Sequence, residues 1–541
     1  MNQLYQWVME DPKTRITVLV AVIGLGGVVL GGVLNSLVWP WLKTAVERLA
    51  GKVETKYSKK KFEYRYLDWV ISEHENLPLL PSTLVPVTQP LPKELDKLYV
   101  ALSIVSDGER QAEMSLGEAL KKGSKLVVLG EPGAGKTTML HFMALTFALA
   151  RRRRSSSKAK GERERDERKI GEARRRVKEE YGYDDYPLPV FVFLNRLRDI
   201  SSWPPGRGIL DAVRDEWKAN ELLRDTPADF FEDKLSRGEC IFLLDAFDEL
   251  GSQSARDAVA SHIGKLAATA LRGNRFVVTS RIVGYSGQLN RYGFEVLKVQ
   301  RLSGALIKQL VTKWYDALGD KSLADKLLHT FTSNPRIAEL AVNPMLLSLI
   351  VLVQYVRRLI PDRRHVLYDE CVKILVERRY ASPEVQAAYN QTLPGEEATQ
   401  ILQEVAARMH HARLREIPRD ELEAECIPAI LGEMAGSVAA RVSPPDIVRN
   451  IEERSQLLVE RGINEQGSPV MAFSHLTFQE YLTSVAYKEL IAKKREDIIS
   501  SEVVEKYVSD REWWEEVALL YAAQLNNQQR ETFMKRLQQP D

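Results

Sequence analysis

The sequence predicts an α/β chain. A parallel sheet flanked by helices forms its centre, one apolar helix ahead of it is long enough to span a bilayer, and mainly helical segments follow. Three observations predict this. A short apolar run, 125–129 (KLVVL), leads through a glycine-rich loop into an apolar helix. Four more apolar runs, PVFVFL (189–194), CIFLLD (240–245), RFVVTS (275–280) and FEVLKV (294–299), recur with helix-length spacers between most of them. That alternation builds parallel sheets. The third observation is that no charged residue occurs from Ile16 to Leu42.

Composition bounds the rest. The chain has 541 residues, 44% hydrophobic and 28% charged, with a formal net charge of +2. This is too apolar for a disordered chain and long enough for several structural units. The near-neutral sum argues against a wholly basic nucleic-acid binder. Cys240, Cys371 and Cys426 lie far apart, without metal-like spacing, which argues against a disulfide scaffold or zinc module. The charge is segregated. Residues 43–62 carry seven basic and two acidic residues, and residues 151–178 carry fourteen basic and five acidic.

Taken from the N-terminus, the stretch 16–42 is long enough for a transmembrane helix, with Trp39 and Trp41 suited to an interface. A signal peptide would have a shorter apolar core and a small-residue cleavage site, and a buried globular helix would rarely lack charge for so long. The basic flank places the C-terminal side in the cytoplasm, giving a single-pass membrane protein whose larger portion is cytoplasmic. The same basic collar could touch anionic lipid. Gly27-x-x-x-Gly31 and Gly32-x-x-x-Ser36 would permit close helix approach.

Residues 130–137 read Gly130-Glu131-Pro132-Gly133-Ala134-Gly135-Lys136-Thr137, followed by Thr138. This is G-x-x-x-x-G-K-[ST] between a strand and a helix, the setting in which backbone N–H groups cradle phosphates. Lys136 would reach the β- and γ-phosphates, and Thr137 would offer its hydroxyl to Mg²⁺. The run CIFLLDAFDEL ends its strand at Asp245, placed to hold the Mg²⁺ shell. Beyond it, Glu249 is the first choice and Asp248 the second for a general base that activates water. RFVVTS leads into Arg281, on the same rim of a parallel sheet, as a candidate sensor of the γ-phosphate.

These motifs resemble those of NACHT-domain NTPases, in the STAND class of P-loop ATPases. LLDAFDEL resembles that family's Walker B, and VVTSRIVGY its sensor region. Ala341-Val-Asn-Pro344-Met-Leu-Leu-Ser resembles its Asn-Pro-Leu-Leu-Leu helix start, and Phe473-Ser-His475-Leu-Thr-Phe-Gln-Glu-Tyr481-Leu its winged-helix signature. The motifs stand in family order across residues 95–490. The resemblance implies an ATPase switch, locked by ADP and opened by exchange for ATP, that then forms a homo-oligomer. It implies that Pro344 packs near the adenine and that His475 contacts the ADP β-phosphate. Ala246 and Met345 depart from the commoner glycine and leucine, both conservatively in size.

The expected organisation is a tail and span (1–42), a basic juxtamembrane linker (43–95), a nucleotide-binding domain (96–299), a helical domain and loop (300–398), a winged helix (399–490) and C-terminal helices (491–541). The insertion 151–180 reads as a solvated, mobile segment or charged helix. Without interleaved aromatics it is not read as a nucleic-acid reader. Two other functions share the motifs: a nucleotide-binding scaffold with little hydrolysis, and a mechanical ATPase acting on nucleic acid or protein. The activating ligand is not legible.

Overall fold

A computed structural model describes residues 58–77, 94–106, 113–152, 160–377 and 393–538, apart from a few loop positions inside those ranges. Six strands form the main sheet: β1 (Ile104–Ser106), β2 (Lys125–Gly130), β3 (Leu188–Phe193), β4 (Cys240–Asp245), β5 (Arg275–Arg281) and β6 (Glu295–Val299). Their order across the sheet is β1-β6-β2-β5-β4-β3. All neighbours are parallel except β1, which runs antiparallel to β6 at the edge. The five longer strands are the five apolar runs of the sequence. Three-residue β1 carries too short a pattern to be read, and only its pairing with β6 makes it a strand.

Strands buried on both faces need apolar side chains on both faces. Leu126–Leu129 and Cys240–Leu244 are accordingly buried without a break. Phe242 and Phe276 stack between β4 and β5, with ring centroids 4.9 Å apart. The register sets Gly130 beside Arg281 and Phe193 beside Asp245, so the ends of four strands share one rim.

The helix Lys136–Arg151 is apolar all round because it is covered all round, with Met139 to Ala150 buried. One cover is the sheet. The other is the helix Lys160–Glu179, the charged half of the insertion, which docks Ile170, Ala173 and Val177 inward. Arg174 caps the neighbouring helix, donating from Nε to Ala150 O (3.0 Å) and from Nη2 to Arg152 O (3.2 Å). A helix over 58–74 lies within the expected linker and packs Phe62, Tyr66, Leu67 and Val70 into the main core. Tyr66 donates its hydroxyl to Pro189 O at 2.6 Å. Arg151 bridges Glu63 of that helix (2.5 Å) to Glu239 (2.7 Å).

Helices Gly304–Leu318, Lys321–Ser333, Pro344–Arg357 and Arg364–Val372 follow the sheet. A second, antiparallel sheet has the order β7-β9-β8, made by Glu416–Pro418, Pro469–Phe473 and Leu458–Ile463. It sits with helices Gly395–His411 and Leu476–Lys493. Three C-terminal helices, Glu496–Ser509, Arg511–Gln524 and Asn527–Gln538, enclose a small apolar core around Trp514, Tyr521 and Phe533.

The single-pass membrane placement with a cytoplasmic ATPase portion is corrected. Among the described residues no helix is long and apolar enough to cross a membrane. The longest helices fail on charge: Lys160–Glu179 is mostly ionic, and Leu476–Lys493 carries Glu480, Lys488, Glu489 and Lys493. The stretch 16–42, with its expected span and small-residue motifs, and the basic collar up to residue 57 lie outside the described residues. So do the Pro-rich passage 78–93, the arginine run 153–159 and most of the expected loop 381–398.

Candidate nucleotide site

The loop between β2 and the helix Lys136–Arg151 turns through two left-handed glycines, Gly133 (φ 74°) and Gly135 (φ 85°). Gly133 needs the space as well as the angle. A Cβ there would stand 2.9 Å from Asn343 Oδ1 and 3.0 Å from Met345 Cβ. Lys136 Nζ donates to Gly130 O (2.8 Å) and Glu131 O (3.1 Å), across the mouth of the loop. Burial lowers the Lys136 pKa to about 8, against the pull of Asp248.

Pro132 to Thr138 line one cleft with Asp245, Asp248, Glu249, Arg281, Pro344 and His475. Gly130 and Glu131 belong to the loop without lining that cleft. Their carbonyls hold Lys136, and the Glu131 carboxylate pairs with Arg301 at 2.8 Å on the surface. The apolar end of the cleft is walled by Leu98, Val100, Leu102, Leu310, Trp314 and Pro344, a slot suited to a flat ring.

Asp245 is buried at the end of β4 and accepts hydrogen bonds from Thr279 Oγ1 and Thr137. Burial nevertheless raises its pKa. Ala246, next in chain, has φ 61° and donates its N–H to Thr279 Oγ1 at 3.1 Å. The departure from glycine here is therefore a matter of backbone conformation, not size, and stores strain of about 1 kcal/mol at the rim.

Asp248 Oδ1 accepts the Arg281 N–H at 2.9 Å, and its Oδ2 lies 3.4 Å from Arg281 Nε. Arg281 Nη1 donates to Glu480 Oε1 at 2.9 Å. Burial disfavours the Arg281 cation, but Glu480, Asp248 and Glu249 outweigh it and raise its pKa. Glu249 pairs with Arg415 Nη2 at 2.5 Å. Its pKa is pushed up to about 7, first by burial, with Asp248 adding and Arg415 opposing.

His475 sits between β9 and the helix Leu476–Lys493. Its Nδ1 accepts the Thr477 N–H at 3.1 Å, so the neutral ring carries its proton on Nε2. The structure thus gathers Lys136, Thr137, Asp245, Asp248, Glu249, Arg281, Pro344 and His475 around one cleft. Three further residues escaped the sequence reading. Asn343 donates from Nδ2 to Pro132 O (2.9 Å), and its Oδ1 caps Met345 N (3.1 Å) and Leu346 N (3.2 Å). Its position before Pro344 marks it as an N-cap in retrospect. Glu480 lies inside the FQEYL motif. Nothing local marks Arg415.

Residues 364–487 match the family described as the winged helix-turn-helix domain C-terminal to NACHT. The match suggests a NACHT-containing protein, and it covers the β7-β9-β8 sheet, His475 and Glu480. No curated protein matches the chain as a relative.

Asn343 ties the helix Pro344–Arg357 to the loop, so Asn343→Ala should loosen both. The loss of the cap and of the bond to Pro132 should cost about 1–2 kcal/mol of stability. Urea denaturation measures that cost, and nucleotide affinity should fall with it.

Proposed function

We propose that this chain is an ATP-binding and ATP-hydrolysing switch of NACHT type, which exchanges ADP for ATP and then assembles into a homo-oligomer in a signalling or defence role. The observation that carries the reading is the convergence of Lys136, Asp245, Glu249 and Arg281 on one sheet rim, facing His475 of the winged-helix domain. The donor set fits a nucleotide with its metal. The glycine cradle and Lys136 suit the phosphates, the apolar slot suits the adenine, and the Thr137 hydroxyl and Asp245 carboxylate suit Mg²⁺. Bound there, Mg²⁺ would supply charge neutralisation at the phosphate oxygens.

In hydrolysis water forms the new bond to the γ-phosphorus, the bond to the bridging oxygen breaks, and ADP and phosphate leave. On this reading Glu249 would accept the water's proton and Arg281 would stabilise the developing negative charge. A mass measurement of the protein with ADP and with a non-hydrolysable ATP analogue tests the reading. Retained nucleotide and a larger assembly with the analogue support it. No bound nucleotide in either sample would refute it.

The raised Glu249 pKa sets a pH dependence. A base works as the carboxylate, and a pKa of about 7 leaves it protonated in acid. Turnover should therefore fall as pH drops through about 7, by roughly tenfold per unit once well below it. A kcat profile measured from about pH 5.5 to 8.5 checks this; a flat profile would remove Glu249 from the role.

A further inference from the structure

A second cavity shares no lining residue with the nucleotide cleft. Its volume is about 420 Å³, within the ordinary range for small-molecule sites. Four helices wall it: Arg364–Val372, Gly395–His411, Leu476–Lys493 and the end of Arg511–Gln524.

Two observations separate this cavity from a gap between packed helices. The first is Gln403. It lines the cavity and is only 7% exposed, yet among the described residues its amide has no hydrogen-bond partner. A buried polar group is costly to keep from water unless something bonds to it. The second is the backbone. The helix Arg364–Val372 gives way to a π-helical turn, Lys373–Glu377, where Val372 and Lys373 line the cavity. Such distortions are rare and recur at functional sites.

The charges select the ligand. Asp369 is already satisfied, accepting Lys373 Nζ at 2.5 Å and the Tyr481 hydroxyl at 3.4 Å. Lys488, Glu396 and Glu489 line the same cavity, and among the described residues none of them forms an ion pair. Gln524 donates from Nε2 to Ser484 Oγ (2.8 Å) and Leu520 O (3.1 Å), which leaves its Oε1 as an acceptor. His365 adds an uncharged imidazole, because burial first, then Arg363 and Lys488, lower its pKa against the pull of Asp369.

A simple anion would meet two unpaired carboxylates here, and a simple cation would meet an unpaired ammonium. A molecule carrying both charges satisfies both. Its carboxylate suits Lys488 and its ammonium suits Glu396 or Glu489, while the Gln403 amide and Gln524 Oε1 remain for polar groups.

We propose that this cavity is a binding site for a small zwitterion, a free α-amino acid or a dipeptide. The site is built from the winged-helix segment and the helices around it, and it stands apart from nucleotide chemistry. It holds whether or not the chain hydrolyses ATP.

The test follows thermal unfolding of the full chain with each common α-amino acid, with glycyl-glycine and with alanyl-alanine, at millimolar concentration. Acetate and methylammonium are the single-charge controls. At least one zwitterion should raise the midpoint, and neither control should. Calorimetric titration then measures its affinity for the parent, Gln403→Leu, Lys488→Ala and Glu489→Ala. Leucine is close to glutamine in size and removes the unpartnered amide, so Gln403→Leu should fold at least as well as the parent. Its affinity for the zwitterion should fall about tenfold, the loss of one hydrogen bond to a charged group. Lys488 and Glu489 are exposed, so their variants keep the fold, and each should weaken binding roughly fivefold. ADP affinity should be the same in all four proteins, so a failure of the nucleotide reading leaves this one standing. No shift with any zwitterion overturns the proposal. Binding that all three variants leave unchanged overturns the site, and binding of either control as tight as the zwitterion's overturns the ligand class.

Discussion

Lys136→Ala should abolish high-affinity nucleotide binding while leaving the protein folded. The ammonium is the cation at the mouth of the loop, held over Gly130 O and Glu131 O and brought to a pKa of about 8 by burial. A charge-assisted hydrogen bond is worth about 1.5–3 kcal/mol, and Lys136 is placed to make more than one to a polyphosphate. Two such bonds imply a loss of at least two orders of magnitude in affinity, at about 1.4 kcal/mol for each tenfold step. Calorimetric titration with ADP checks it. The fold should persist, because alanine keeps the helix Lys136–Arg151 and removes no apolar contact from its buried face, Met139 to Ala150. A variant that still binds ADP within threefold of the parent would take Lys136 out of the site.

Glu249→Gln should cost turnover rather than binding. The substitution preserves shape but leaves no group able to accept the water's proton. General-base catalysis contributes about 10²- to 10⁴-fold, and the loss in kcat should fall in that range. ATP affinity should hold or rise, since a carboxylate near the phosphates repels them and the amide does not. Arg415 then loses its anionic partner, so the winged-helix contact should weaken as well. The corresponding Asp248→Asn should act differently, because Asp248 accepts the Arg281 N–H and braces its Nε. It should shift the arginine more than the proton transfer. If Glu249→Gln keeps full turnover and Asp248→Asn loses it, the base is Asp248.

The contrast between the readable and unreadable parts of this site has a physical origin. The glycine-rich loop is contiguous: local backbone geometry demands Gly133 and Gly135, and the lysine and threonine that suit a phosphate and its metal follow directly, so eight adjacent letters disclose it. Asp245 and Arg281 were legible for a related reason. Each ends an apolar strand, and parallel strands deliver their C-terminal ends to one rim. His475 and Pro344 came by likeness to a family, and the structure lines the same cleft with both. Arg415 had no such signal, because it has only one unusual property: the carboxylate it meets. The short edge strand β1 was hidden for the same kind of reason, since three residues acquire strand character only from pairing with β6.

Residues 151–180 read as a solvated, mobile segment or a charged helix, and Lys160–Glu179 is such a helix. What composition did not show is its docking: Ile170, Ala173 and Val177 are buried, and Ala173 and Val177 join the main core. Three apolar residues at positions 170, 173 and 177 are a helical stripe, and a stripe suffices to dock a helix whose other faces are ionic. The expected membrane span shows the opposite limit, because the residues that carry it lie outside those described, and no described helix replaces it.

By itself the sequence disclosed the glycine-rich loop, the strand-end Asp245 and Arg281, and the five longer strands of the main sheet, whose order across the sheet came from the structure. These depend on neighbours a few residues apart, where pattern and propensity act directly. Only the tertiary structure decided which charges meet. Arg281 and Glu480 are 199 residues apart in the chain and 2.9 Å apart at the closest atoms, and the sequence contains many arginines and glutamates that could have been paired instead. Electrostatic attraction carries no address along the chain. The address is supplied by packing, which seats the winged-helix domain against the sheet rim and turns two ordinary residues into the contacts that hold the site.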